Sequence, residues 1–439
     1  MPKFRSISAL LLVILSLCGI SGYPSAFATS TSEQSSEGRV YWLSSNIETN
    51  QVLQLLADRY FADTGKPVEI VTVPESVYQS RLDEALADNE AAPTLFEISG
   101  FADLKRREEQ LYNLRETGLI GELASSELSL RGAGGQTLAI PSTFECFGII
   151  VNTGLLSKVG HSVEEIQDYS SLKKIVEEIH MYASQLGFDA FTSSPLDEAS
   201  REKYVAQTAN VALYYESANM GGWQETPDSV SGIYIENYKN IWDLYIKNSP
   251  YKARTFTTDS YDPLDEFGNY QAVFFQGTSD DYDTLVNIYG MYDGELAMLP
   301  MYSSSSGEDN LGLGCSCGSY WGINKNSKKE DIEATIAFLK WLLTDTYSTE
   351  LLSRSLGALP YKSAKSPVNV FLVQALEDIK SGKTTPNKAY DFIPNRNEWC
   401  AQLIPALEQY NNDPSKYNWE YVRKSFVDGW SEQFIYVNR

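Results

Sequence analysis

The chain has 439 residues, 43% hydrophobic and 21% charged. These are globular proportions, and the length predicts two or three folded units instead of a small stapled scaffold, a rod or a disordered tail. Asp and Glu number 58 against 35 Lys and Arg, a formal net charge of −23. A surface this negative repels phosphate backbones and anionic headgroups, and no local basic cluster offsets it, which argues against nucleic-acid and lipid-surface partners.

Lys3 and Arg5 precede an apolar run from Ile7 to Ile20, Pro24 breaks any helix, and Ala26-Phe27-Ala28 supplies small residues for cleavage. Residues 1–28 therefore read as a secretory signal peptide, too short to span a membrane comfortably. Cleavage after Ala28 removes two positive charges and deepens the net charge to −25, counted from the −23 of the whole chain. Leu15-Ser16-Leu17-Cys18-Gly19 also resembles a bacterial lipobox, in which Cys18 is lipidated, although Leu17 stands where a small residue is usual. Both routes end outside the cytoplasmic membrane. Residues 29–38, rich in Ser, form a flexible leader or tether.

Export permits disulfides, but Cys315 and Cys317 lie two apart on an expected strand, where they point to one face and pair badly. With Cys146 and Cys400 they read as buried thiols. Neither the cysteine spacing nor the 2 His supports a metal site, and no cofactor motif is found.

From Arg39 onward strand and helix alternate. Val40–Leu43 is strand-like, and Thr49 can cap a helix with Val52, Leu55, Leu56 and Tyr60 on its apolar face, ended by Gly65. Val68–Val73 and Thr94–Ile98 are further strands, with a helix around Tyr78, Leu82 and Leu86 between them. Such alternation predicts an α/β protein with a mostly parallel sheet, whose ligands sit beyond the carboxyl ends of the strands. Leu172, Ile175, Val176, Ile179, Tyr182 and Leu186 mark a helix ended by Gly187, with a strand at Phe188–Phe191. Asn237–Ile246 and Ile332–Leu343 are two more helices, and Gly268, Gly277, Ser303–Ser306 and Gly382 mark loops.

The segments Val40-Tyr41-Trp42-Leu43-Ser44-Ser45-Asn46, Ala92-Pro93-Thr94-Leu95-Phe96, Leu138-Ala139-Ile140-Pro141 and Phe147-Gly148-Ile149-Ile150-Val151-Asn152 occur in one order. Ala272-Val273-Phe274-Phe275-Gln276-Gly277, Glu295–Pro300 and Tyr320-Trp321-Gly322-Ile323-Asn324 follow. Their order and spacing resemble the extracellular solute-binding proteins of carbohydrate ABC importers, the maltodextrin-binding class. The resemblance implies a two-lobed periplasmic-binding-protein-like fold of type II, with sugar held between lobes and closure about hinge crossovers. Mapped here, lobe one is 39–145 plus 322–360, and lobe two is 148–315 plus 361–439. It also implies a carbohydrate ligand, with an oligosaccharide expected, ABC permease subunits as partners, a monomeric receptor and no catalysis.

A sugar offers C–H faces to flat aromatics and a rim of hydroxyls to paired polar groups. Candidate rim residues are Ser45 and Asn46 after the first strand, Ser99 after the third, Glu145 at the first crossover, and Thr278 and Asp280 after a strand of lobe two. Turn-making competes with ligand contact at Ser45 and Asn46, and a structural hinge bond competes at Glu145. Where the family commonly carries a ligand-facing tryptophan after that lobe-two strand, this chain has Ser279 and Asp280. Trp321 and Trp399 are the leading stacking candidates. Trp223 is a replacement platform or a loop anchor, and Trp42, Trp242, Trp341, Trp419 and Trp430 are expected in the core. A polyamine or peptide ligand on the same fold, or a secreted glycosidase using two of the many carboxylates, are the alternatives.

Overall fold

The computed structural model describes residues 38–88, 91–197, 201–250 and 262–439. The signal peptide, Cys18, the leader up to residue 37 and residues 251–261 lie outside the described residues.

The first half of the chain builds strands β1 (Val40–Ser44), β2 (Val68–Thr72), β3 (Leu95–Ile98), β4 (Leu130–Arg131) and β5 (Thr137–Pro141). The chain then enters a second sheet with β6 (Glu145–Asn152), β7 (Asp189–Phe191), β8 (Ala272–Thr278), β9 (Leu296–Leu299) and β10 (Gly314–Ser316). It returns to the first sheet as β11 (Tyr320–Ile323). The first sheet has the order β2-β1-β3-β11-β5-β4, and the second has β10-β6-β8-β7 with β9 also on β6. Two sheets joined by crossings in both directions make a two-lobed α/β architecture.

The expected parallel arrangement holds for β1 with β2 and β3 and for β7 with β8. Elsewhere pairing is antiparallel, because β11 re-enters between β3 and β5, and β6 lies against β8, β9 and β10. A returning strand reaches its slot from the opposite direction. β6 is apolar and buried along nearly its whole length, as a central strand covered on both faces must be.

Local signals explain the helices. Tyr169–Leu186 begins at Asp168, whose carboxylate accepts the Ser171 N–H at 2.7 Å, and ends at Gly187 with φ 79°. Its buried residues Leu172, Ile175, Val176 and Ile179 follow helical spacing. Gly65, with φ 73°, closes Asn50–Thr64 as expected, whereas Thr49 makes no side-chain cap bond. Gly277 lies within β8 and not in a loop.

Helices 50–64, 329–344 and 346–356 cover the first sheet around Trp42, Tyr60, Trp321 and Phe338. The second sheet packs on Tyr169–Leu186, with Ile149, Val176, Phe191 and Phe274 in one core. A further all-helical core unites 208–219, 235–247, 396–412 and 419–437 around Tyr238, Trp242, Trp399, Trp419 and Trp430. Among the described residues no helix is long and apolar enough to cross a membrane.

Candidate functional site

Three chain segments run side by side between the sheets. Residues 141–145 lead from β5 to β6, 316–320 lead from β10 to β11, and 358–361 follow the helix Thr346–Leu356. The Ser142 N–H donates to the Ser319 carbonyl at 2.9 Å, and the Ser319 N–H donates to Thr143 Oγ1 at 3.0 Å. Phe144 bridges to Ala358, and the Tyr361 hydroxyl donates to the Pro141 carbonyl at 2.5 Å. Crossings that bond to one another in this way are the connection between the lobes, the kind of place at which a few dihedrals can turn one lobe against another.

Glu145 stands at the second-lobe end of the first crossing. Its Oε1 accepts from Lys388 Nζ at 2.6 Å and from the Ser316 hydroxyl of the return crossing at 3.0 Å. Lys388 leads into a short turn of helix at Ala389–Phe392. Burial opposes the charge on Lys388, but Tyr390 and Glu145 outweigh it and hold its pKa above the ordinary value. Arg396 Nη1 lies 2.7 Å from Asp391 Oδ1, its Nη2 3.4 Å from Glu202, and its guanidinium 5.3 Å from the Tyr390 ring centre.

Asp391 and Asp280 both have pKa values raised by burial. For Asp391, Arg396 and Lys388 oppose the shift; for Asp280, Glu145 adds to it and Lys388 opposes it. Both side chains still reach solvent. Lys388 and Arg396 thus lie over the Tyr390 ring, each paired with a carboxylate, a set of groups that can both donate to and accept from a ligand.

In the first lobe Glu97, on β3, is only 7% exposed. Its Oε1 accepts from the Ser44 hydroxyl at 2.7 Å, and its Oε2 accepts from the Ser45 N–H at 2.8 Å and the Ser45 hydroxyl at 2.5 Å. Burial raises the Glu97 pKa, and these serine donors limit the rise. The Ser99 N–H donates to Asp103 at 3.2 Å, and Asp103 in turn holds the buried Arg107 at 2.9 Å. Contacts between the lobes include Phe101 against Phe392, with ring centres 5.4 Å apart, and Lys105 to Glu225 at 3.0 Å.

No family model matches this chain, and no curated protein matches its sequence. Solved structures do match its fold. The bacterial solute receptor AcbH, described as having an exclusive substrate preference for β-D-galactopyranose, superposes with a TM-score of 0.67 at 14% identity. That match covers 91% of this chain and 100% of AcbH. A family 1 extracellular solute-binding protein from Bifidobacterium longum subsp. infantis gives 0.66 at 12% identity, covering 91% and 99%. RafE from Streptococcus pneumoniae gives 0.65 at 12% identity, covering 92% and 100%. The chain has the solute-binding-protein fold.

Within this solute-binding-protein fold the expected site residues fall into three groups. Glu145 and Asp280 share the polar cluster around Lys388. Ser45, Asn46, Ser99 and Thr278 follow strand ends, but their bonds are local: Ser45 holds Glu97, Asn46 accepts the Thr49 N–H at 3.1 Å, and the Thr278 N–H donates to Asp281 at 2.8 Å. The tryptophans are a correction. Trp321 is 1% exposed and meets Trp42 edge-on at 5.7 Å, and Trp399 is fully buried, donating its ring N–H to the Phe426 carbonyl at 3.1 Å. Trp223, 8% exposed, packs on Phe392 and Trp430. A ring covered by protein has no face for a sugar, so all three anchor cores.

Lys388, Arg396, Glu97 and the Phe101–Phe392 contact escaped the sequence reading. Glu97 had a signal, being a lone acid inside the apolar strand Leu95-Phe96-Glu97-Ile98. Lys388 had none, since its partner lies 243 positions away.

Proposed function

We propose that this protein is an exported receptor that captures a carbohydrate between its lobes and delivers it to an ABC importer. The observation that carries this reading is the fold match to solute-binding proteins along nearly the whole chain, at a TM-score of 0.67. AcbH is described as preferring β-D-galactopyranose, and the GacH receptor of Streptomyces glaucescens, another match, as binding acarbose. The role is binding without catalysis.

Lobe one is assigned residues 39–145 and 322–360, and lobe two residues 148–315 and 361–439. Glu145, Asp280, Asp391 and Arg396 are assigned to the hydroxyl rim, with Asn46, Ser99 and Thr278 completing it. Phe101 and Phe392, half-buried where the lobes meet, take over the apolar contact that the tryptophans cannot supply. Residues 1–28 act as the export signal, with a lipid on Cys18 as the alternative processing route, and the receptor works as a monomer beside its permease.

A thermal-shift screen of the mature protein against mono- and oligosaccharides, followed by calorimetry on the hits, tests the reading. A saturable rise in melting temperature with one sugar class is expected. A rise with polyamines or peptides alone, or turnover of a glycan, overturns it.

A further inference from the structure

Strands β6 and β10 are antiparallel neighbours in which Cys146 stands directly opposite Cys315. Backbone bonding identifies the kind of pair. The Cys146 carbonyl accepts from the Ser279 N–H at 2.8 Å, and the Cys146 N–H donates to the Ser279 hydroxyl at 3.2 Å. The Cys315 N–H donates to the Pro386 carbonyl at 2.8 Å. These groups point away from the facing strand, so the cysteines form a non-hydrogen-bonded pair. That is the closer of the two antiparallel kinds, with Cα atoms about 4.5 Å apart and both side chains on one face. A disulfide spans Cα separations of roughly 4.4–6.8 Å.

Both thiols are free and buried in the same core cluster, at 1% and 3% exposure. Cys317 lies beyond the end of β10, and Cys400 belongs to the all-helical core. We propose that Cys146 and Cys315 form a disulfide in the mature protein, fastening β6 to β10 where the first and return crossings meet the second sheet, beside the Glu145–Ser316 hydrogen bond. The proposal rests on the exported location given under the proposed function, because a reducing compartment would keep both thiols reduced.

The chemistry is thiol–disulfide exchange with an external disulfide, either a small molecule or an oxidoreductase. The Cys146 thiolate attacks one sulfur of that disulfide, breaks its S–S bond and releases one thiolate. The Cys315 thiolate then attacks the Cys146 sulfur of the mixed disulfide and releases the second. Two protein thiols are oxidised, one external disulfide is reduced to two thiols, and the two protons pass to solvent or to the released thiolates. Burial pushes both thiol pKa values well above their ordinary value, so the native pair holds little thiolate. The exchange therefore belongs to folding, before the strands close over the sulfurs.

The test is to unfold the mature protein in dithiothreitol, refold it with a glutathione disulfide and glutathione mixture, alkylate it while unfolded, and map its peptides by mass spectrometry. A linked peptide pair containing Cys146 and Cys315 is expected, with Cys317 and Cys400 alkylated. The oxidised protein should melt several degrees above protein refolded in dithiothreitol, and Cys315→Ser should show no such difference. Alkylation of every thiol, or a link through Cys317 or Cys400, overturns the proposal. Should Cys315→Ser not refold, the Cys317→Ser/Cys400→Ser double variant must still yield the linked pair, and its absence overturns the proposal equally. Sugar binding separates this result from the functional reading: binding without a link defeats only the disulfide, and a link without binding to any sugar defeats only the function.

Discussion

Glu145 and Lys388, 243 positions apart in the chain, meet with Nζ 2.6 Å from Oε1 at the point where the first crossing enters the second sheet. Both side chains are mostly covered, at 22% and 18% exposure. Removing one partner strands a partly desolvated charge without its hydrogen bond, so Glu145→Ala is expected to destabilise the protein by about 1–3 kcal/mol. Glu145→Ala/Lys388→Met should lose less than the Glu145→Ala and Lys388→Met variants together. A double-mutant cycle by urea unfolding reads the coupling, and additive losses would show that the pair contributes no mutual stabilisation.

Trp399 gives a prediction opposite in kind to the one its sequence context invites. Its ring meets Phe426 at 5.0 Å and sits beneath the helix Trp419–Val437. Trp399→Ala opens a cavity in that core and is expected to cost about 3–5 kcal/mol of stability. Sugar affinity of the folded fraction should not change. Denaturant unfolding and calorimetry on the same preparation separate the two effects, and a large affinity loss without destabilisation would return the ring to the site.

Phe101 and Phe392 join the lobes through apolar contact, and Lys105 and Glu225 through an exposed ion pair. Phe392→Ala removes an aromatic contact worth about 0.5–1.5 kcal/mol, which corresponds to roughly 2- to 12-fold weaker sugar binding if closure accompanies capture. Lys105→Glu should change affinity by under about 1 kcal/mol and in a salt-dependent way, because both groups face solvent. Calorimetry at low and high ionic strength distinguishes the two contacts.

Glu97 sets a pH dependence. Its folded pKa lies above the ordinary 4.5, burial being the main cause, so the folded state holds its proton over a range where the unfolded chain has lost it. Through that window stability falls as pH rises, and above the raised pKa the penalty is constant. Glu97→Gln cannot titrate and should flatten the decline in melting temperature as pH rises above the ordinary carboxylate range. Parallel curves for the two proteins would remove Glu97 from the account.

Much of the fold was legible locally. Alternating apolar runs and helical stripes located β1, β2 and β3 within a residue or so, and Gly65 and Gly187 marked helix ends because their left-handed backbone needs a missing Cβ. Periodicity reports which face is apolar and says nothing of the strand that will lie alongside. The antiparallel insertion of β11 between β3 and β5 was therefore hidden.

The same division runs through the site. Sequence alone determined the α/β class, the export signal as an expectation and the crossover position of Glu145, since each depends on short stretches of chain. Tertiary structure decided that Trp321 and Trp399 belong to cores, that Lys388 neighbours Glu145, and that Cys146 faces Cys315. An aromatic residue has the same local signature whether its ring is covered or exposed, and ion pairs and cross-strand pairs form between segments whose meeting no local pattern records.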